Sequence, residues 1–312
     1  MKLKIISAMI CMLSICLCMG CSSANHSTAQ KSQERLPVKV NISPTVKLNT
    51  GYEMPVLGLG TWTLEGQNAE KAVETAIECG YRLIDTARYY GNEEAVGNGI
   101  RTAIANGLVT REELFVTSKI MPGDYRRADK AIDESLSSLG LDYIDLMLIH
   151  QPGANDEEVY KALERGVKAG KIRSIGISNY YTPQDFERIN RIAAITPAVV
   201  QNENHLYYQN TELQEYLKKY GTVVESWYPL GGRGNTEKIL SNNVIAGIAK
   251  AHDKSAAQIV LRWHIQAGYV VIPGSGNPRH IRENNEVYDF ALSAEEMAQI
   301  AKLNRNARFE NW

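Results

Sequence analysis

The sequence predicts an α/β fold, an eight-stranded (β/α)8 barrel of the TIM type with an N-terminal β-hairpin and extra helices. Three observations carry that expectation. From Val46 onward, short apolar runs alternate with runs of helical period, the pattern of a parallel sheet covered by helices. Eight such runs recur at spacings of ~20–45 residues across ~265 residues, which fits a closed barrel better than an open sheet. An open dinucleotide fold would carry a G-x-G-x-x-G turn after its first strand, and "GLGTWTLEG" lacks one.

In order along the chain, Val46–Leu48 and Met54–Leu57 flank the turn "NTGYE" and predict a hairpin. Strands are expected at 56–60, 82–84, 114–118, 144–149, 172–177, 198–201, 223–226 and 269–272. Helices fill the gaps between them. One runs from Ala69 to Cys79, another starts at Asn92, and a third over 128–139 repeats its apolar residues at Ala128, Ala131, Ile132, Leu136 and Leu139. The gap before the last strand holds two, Asn243–His252 and Ala256–Ala267.

At 312 residues and 44% hydrophobic, the chain can bury a sizeable core. A formal net charge of −1, with acids and bases mixed throughout, argues against a nucleic-acid partner and an electrostatic grip on a membrane. The N-terminus reads as a separate object. Lys2 and Lys4 precede an apolar run from Ile5 to Met19, short for a membrane span, and Gly20-Cys21 follows. "LCMGCSS" resembles a bacterial lipoprotein cleavage site, although Cys18 stands where such sites usually have Leu. The expectation is therefore a signal peptide over 1–21 ending at a lipidated Cys21, a polar tether over 22–44 and a barrel over 45–312. Such a chain would be an exported, membrane-anchored lipoprotein facing the periplasm or cell exterior, touching the membrane only through that anchor. Cys79 reads as a small buried hydrophobe.

Functional residues of such barrels gather at the carboxyl ends of the strands. Those ends carry Asp85, Lys119, His150, Ser178-Asn179, Gln201 and Trp227, each terminating an apolar run. Tyr89 and Tyr90 follow Asp85 directly. A phenol near its ordinary pKa of about 10 is a poor acid, and an adjacent ammonium favours its ionised form. Tyr90, Lys119 and Asp85 would thus form a tuned proton donor, with His150 orienting a carbonyl. The plainer readings are a structural ion pair for Asp85 and Lys119 and a satisfied core histidine for His150. Lys119 as a Schiff-base lysine is a further alternative, weakened by Asp85, which would keep it charged.

Two long motifs then carry a family resemblance. "GYRLIDTARYYGNEEAVG" (Gly80 to Gly97) and "KIRSIGISNY" (Lys171 to Tyr180) resemble signatures of the aldo-keto reductases, and the likeness runs from Val46 to Trp312. It implies a catalytic tetrad of Asp85, Tyr90, Lys119 and His150, with Trp62, Tyr89 and His150 lining the substrate pocket. It also implies a nicotinamide cofactor whose carboxamide meets Ser178, Asn179 and Gln201 and whose ring stacks on Trp227. Leu230 and Gly232, in "PLGGRG", would wrap the pyrophosphate, and Glu283 and Asn284 would meet the adenine. The third motif departs from the family pattern. "IPGSGNPRHIREN" has Gly274 and His280 where a Lys and an Arg usually grip the 2′-phosphate, leaving Ser275, Arg279 and Arg282 nearby. NADP(H) is expected slightly ahead of NAD(H), and no metal is expected. Short loops after His150 and Leu303 resemble bacterial members of the 2,5-diketo-D-gluconate reductase type. The implied activity is NAD(P)H-dependent reduction of an aldehyde, ketone or keto-sugar carbonyl to an alcohol, by a monomer acting on small molecules. The alternative is a non-catalytic regulatory barrel that only binds the cofactor.

Overall fold

Residues 40–311 are described by a computed structural model. The chain opens with the hairpin β1 (Thr45–Lys47) and β2 (Glu53–Pro55), antiparallel with Val46 opposite Met54. Then β3 (Gly58–Gly60), α1 (Gly66–Cys79), β4 (Leu83–Asp85), α2 (Glu93–Ala105), β5 (Phe115–Ile120) and α3 (Ala128–Leu139) follow. The second part of the circuit runs β6 (Ile144–Ile149), α4 (Asp156–Lys168), β7 (Ile172–Ser178), α5 (Pro183–Asn190), β8 (Val199–Glu203) and α6 (Thr211–Leu217). It ends with β9 (Val223–Trp227), α7 (Thr236–Leu240), α8 (Asn243–His252), α9 (Ala256–Gln266), β10 (Val270–Val271), α10 (Pro278–Asn284) and α11 (Ala294–Ala301). Strands β3 to β10 are parallel neighbours in chain order. Bridges from Leu57 to Val271 and from Gly60 to Gly274 close the circle.

The local causes are readable. In α3 the buried side chains include Ala128, Ala131, Ile132, Ser135 and Leu139, one stripe at helical spacing that packs on the sheet. Capping boxes start α5 (Thr182 with Asp185), α9 (Ser255 with Gln258) and α11 (Ser293 with Glu296). Between sheet and helices lies the main core, while Leu48 and Met54 of the hairpin pack with Leu83, Phe115, Leu146, Leu148, Val199 and Val270. The hairpin thus plugs the amino ends of the strands. Only the carboxyl end is left for a site.

The eight expected strands are all present, with shifted ends. Asp85 and Lys119 lie inside β4 and β5 rather than just beyond them. The interval before β10 holds three helices, not two, because the short α7 has too few turns for a readable period. Asn41 to Pro44, expected in the tether, are bonded to the barrel: Asn285 Nδ2 donates to the Asn41 carbonyl (2.7 Å), and the Leu57 amide donates to Ser43 Oγ (3.1 Å). The localisation expectation is corrected. A bilayer crossing needs about 20 apolar residues in one helix, and among the described residues no helix is long and apolar enough to cross a membrane. The expectation of an exported, membrane-anchored lipoprotein facing the periplasm or cell exterior thus finds no support among the described residues. The signal peptide, Cys21 and the tether to residue 39 lie outside the described residues.

Packing of α2 on α3 depends on one small residue. A Cβ on Gly97 would run into the backbone carbonyl of Leu139 at the end of α3. Gly97→Ala is expected to cost ~1–3 kcal/mol, seen as a lower urea midpoint at unchanged slope.

Candidate active site

A cleft of ≈ 800 Å³ opens at the carboxyl ends of the strands. Asp85, Tyr90, His150, Ser178, Asn179, Gln201 and Trp227 line one end, and Ser275, Arg279, Glu283 and Asn284 the other. Lys119 lies beneath the first end, fully buried. Its ammonium donates to Asp85 Oδ1 (2.6 Å), to the Thr86 carbonyl (3.0 Å) and to the Tyr90 hydroxyl (3.1 Å), so all three hydrogens are used. Tyr90 is delivered by a 3-10 turn, Arg88–Tyr90, that follows β4 and is closed by Gly91 in the left-handed region (φ 67°). The tetrad is therefore assembled by two adjacent strands, the turn after one of them, and the end of β6.

Burial and one cation set the charges here. Burial pushes the Tyr90 phenol up to about 12, and the nearby Lys119 ammonium only partly offsets it. The lowered phenol expected from the sequence is not seen, because loss of water outweighs one ammonium. Burial works against the Lys119 charge, yet Asp85 and Tyr90 outweigh it and hold its pKa above the usual lysine value. Such a lysine is a poor amine nucleophile, which removes the Schiff-base alternative. Burial pushes the Asp85 carboxyl up, against Lys119 and Gln201, which pull it down. Burial and the Lys119 charge together hold His150 well below its ordinary pKa, so the imidazole is neutral.

Aromatic rings form the rim. Trp62 stacks on Tyr89 with centroids 5.7 Å apart and lies 4.7 Å from the Tyr90 ring, and His150 meets Tyr90 edge-on at 5.6 Å. Asn92, which the sequence reading passed over, ties these loops together. Its Nδ2 donates to the carbonyls of Thr61 and Leu64 (both 2.9 Å), and its Oδ1 accepts from Thr86 Oγ1 (2.7 Å).

The cofactor positions expected from the sequence fall along the same cleft, with three particulars that only the structure supplies. Asn179 is already committed: Nδ2 donates to the His150 carbonyl (2.9 Å), and Oδ1 accepts from Trp227 Nε1 (3.2 Å) and the Tyr181 hydroxyl (2.9 Å). Gln201 spends both amide hydrogens on carboxyl groups, Asp85 Oδ2 and Glu225 Oε2 (each 2.8 Å), leaving its oxygen as the free acceptor. Arg282 is turned away, toward Glu78 (3.6 Å) and the Cys79 sulfur (3.3 Å) on α1, while Arg279 lines the cleft. Leu230 and Gly232 line the middle, where the Tyr228 ring sits so close that a Cβ on Gly232 would strike it. An indole face at one end, glycines in the middle and a guanidinium at the other fit an elongated dinucleotide, and the volume is in the range of ligand sites. Glu225 was missed from the sequence; its signal is the single acid inside the apolar run "VVESW".

A sequence model described as the Aldo/keto reductase family matches residues 56–305. The chain is 40% identical to an NAD(P)H-dependent D-xylose reductase I,II of Candida tropicalis, covering 86% of this chain and 94% of that one. It is 43% identical to a glyoxal reductase of Bacillus subtilis (strain 168), covering 86% and 95%. Among solved structures it is similar to MGS-M4, an aldo-keto reductase from a Medee basin deep-sea metagenome library, at 41% identity and a TM-score of 0.82 over 85% of this chain and 97% of that one.

Removing the buried cation tests the electrostatics directly. Lys119→Met strands the Asp85 carboxylate and is expected to cost ~3–5 kcal/mol of stability near neutral pH. That loss should shrink as pH falls, because protonating Asp85 removes the unpaired charge. Denaturant titrations at several pH values check both parts.

Proposed function

The chain belongs to the aldo/keto reductase family, and from that premise we propose that Tyr90 protonates the oxygen of an aldehyde, ketone or keto-sugar carbonyl. The enzyme is an NAD(P)H-dependent oxidoreductase that reduces carbonyls to alcohols. Bound in the cleft, the reduced nicotinamide supplies the hydride. The observation that carries the assignment of the acid is the three-way contact of Lys119 with Asp85, the Thr86 carbonyl and the Tyr90 hydroxyl. Because the ammonium donates to the phenol oxygen, the phenol's own hydrogen is free to point into the cleft. As the Tyr90 O–H bond breaks and a new O–H bond forms on the substrate, the phenolate left behind lies 3.1 Å from that ammonium. Neutral His150 donates to the carbonyl oxygen and orients it without competing as an acid. Trp62 and Tyr89 give the substrate an aromatic wall.

In the same reading, Trp227 faces the nicotinamide ring, while Ser178, Asn179 and the acceptor oxygen of Gln201 surround its carboxamide. Leu230 and Gly232 follow the pyrophosphate, and Glu283 and Asn284 the adenine. Ser275 and Arg279 take the 2′-phosphate, which keeps NADP(H) slightly ahead of NAD(H). The catalytic domain runs over 45–312 and acts as a monomer. A non-catalytic barrel finds no support, since the relatives matched are named as reductases.

Two outcomes test this. Tyr90→Phe should lower kcat by ~10²–10⁴-fold, while titration of Trp227 fluorescence shows cofactor affinity retained. Arg279→Ala should weaken NADPH binding about 10-fold, or about 1.4 kcal/mol, and leave NADH binding in place. Equal loss for both cofactors would sink the phosphate assignment.

A further inference from the structure

Glu225 has no role in the mechanism above, yet it is fully buried on β9 against the tetrad. Its register partner on β8 is Gln201. Gln201 Nε2 donates one hydrogen to Glu225 Oε2 and the other to Asp85 Oδ2, each at 2.8 Å, so one amide joins the two carboxyls. Glu225 Oε1 has no protein partner. The titratable groups around it are Asp85 from β4, Tyr90 from the turn after β4, and Lys119 from β5. Lys119 is the cation among them, and it gives its hydrogens to Asp85, the Thr86 carbonyl and Tyr90.

Two carboxyls and one ammonium in a water-poor space leave an unpaired negative charge if both carboxyls ionise, and such a charge is costly to bury. One carboxyl must hold a proton, and the one without a cation at hand is Glu225. We propose that Glu225 is a neutral carboxylic acid in the working enzyme and a positioning residue, which through Gln201 and Asp85 sets the charge against which Tyr90 gives up its proton. This rests on Tyr90 being the acid. Burial, reinforced by the Asp85 charge, pushes the Glu225 carboxyl up to about 8, so its charge appears only as pH rises past that value. Ionised Glu225 raises the phenol further, because a second negative charge near Asp85 opposes phenolate. Reduction should therefore slow on the alkaline side before Tyr90 itself titrates.

The experiment is the pH profile of kcat for carbonyl reduction, read beside the infrared band of a protonated carboxyl. In the wild type, the alkaline limb should fall near about pH 8, and the band should be present at neutral pH and vanish over the same range. Glu225→Gln, shaped like the neutral acid and unable to ionise, should move the limb up by about one unit or more and remove the band. An unmoved limb, or no band in the wild type at neutral pH, overturns the proposal. Should Glu225→Gln not fold, Glu225→Asp is expected to shift the pH at which the band is lost, and an unshifted band overturns the proposal equally. The band does not depend on turnover. A Tyr90→Phe variant that stays active would thus count against Tyr90 as the acid, while the band still decides the charge of Glu225.

Discussion

The ammonium of Lys119, fully buried and 2.6 Å from Asp85, is the constraint on which the site depends. A buried ion pair is a poor source of stability, because desolvation consumes most of the attraction. This one is kept where its charge can act. Lys119 and Asp85 sit on adjacent strands, β5 and β4, so the distance between them is fixed by sheet geometry and not by two flexible surface chains. The hairpin seals the other end of the barrel with Leu48 and Met54, which leaves the charged end as the one open to solutes. With every ammonium hydrogen spent, the group cannot swing away.

One cation then pulls three neighbours in different directions. It draws the Asp85 carboxyl down, favours the Tyr90 phenolate, and, together with burial, keeps His150 neutral. The last effect separates the roles of the two candidate proton donors. A protonated imidazole beside the phenol would compete with it and would add a second buried positive charge. Its absence leaves the phenol as the group whose proton can be handed over, and leaves the imidazole as a hydrogen-bonding guide. The count of buried charge closes only if one of the carboxyls sharing Gln201 is neutral, so the amide is as much a part of the electrostatics as the ions.

The barrel was legible because a parallel strand buried on both faces reads as a short apolar run, and eight such runs at regular intervals leave few alternatives. Asp85, Lys119 and His150 were legible because each polar residue interrupts such a run at its carboxyl end. Glu225 breaks a run in the same way, but two residues earlier than Trp227, and a lone acid in a strand reads first as an outward side chain. That Arg282 reaches α1 while Arg279 lines the cleft is not set by their spacing, since residues three apart share a helix face; it depends on where the seven-residue helix sits, which no local pattern records. The phenol's upward shift was hidden for a different reason: sequence shows which charges are neighbours, and not how much water is lost. The short α7 and the bonded edge at Asn41–Pro44 are tertiary effects on segments with little propensity of their own. The reading of an anchored lipoprotein rested on a local pattern alone, in residues outside those described.

Asn179 shows how the two halves of the cleft are kept in register. It sits in the left-handed region (φ 67°), a conformation that costs most residues and that asparagine tolerates better than other residues with a side chain. From that position its amide nitrogen reaches the His150 carbonyl, and its oxygen reaches the Trp227 indole. Tyr181 fixes the same oxygen from a third direction and takes the Glu203 amide hydrogen on its own hydroxyl. Glycine here would relieve the backbone and lose the bonds to His150, Trp227 and Tyr181. Alanine would lose them and keep the strain. A strained residue whose side chain joins two walls of one cleft is strain put to use, and it makes the spacing between the His150 backbone and the Trp227 ring a property of one amide group.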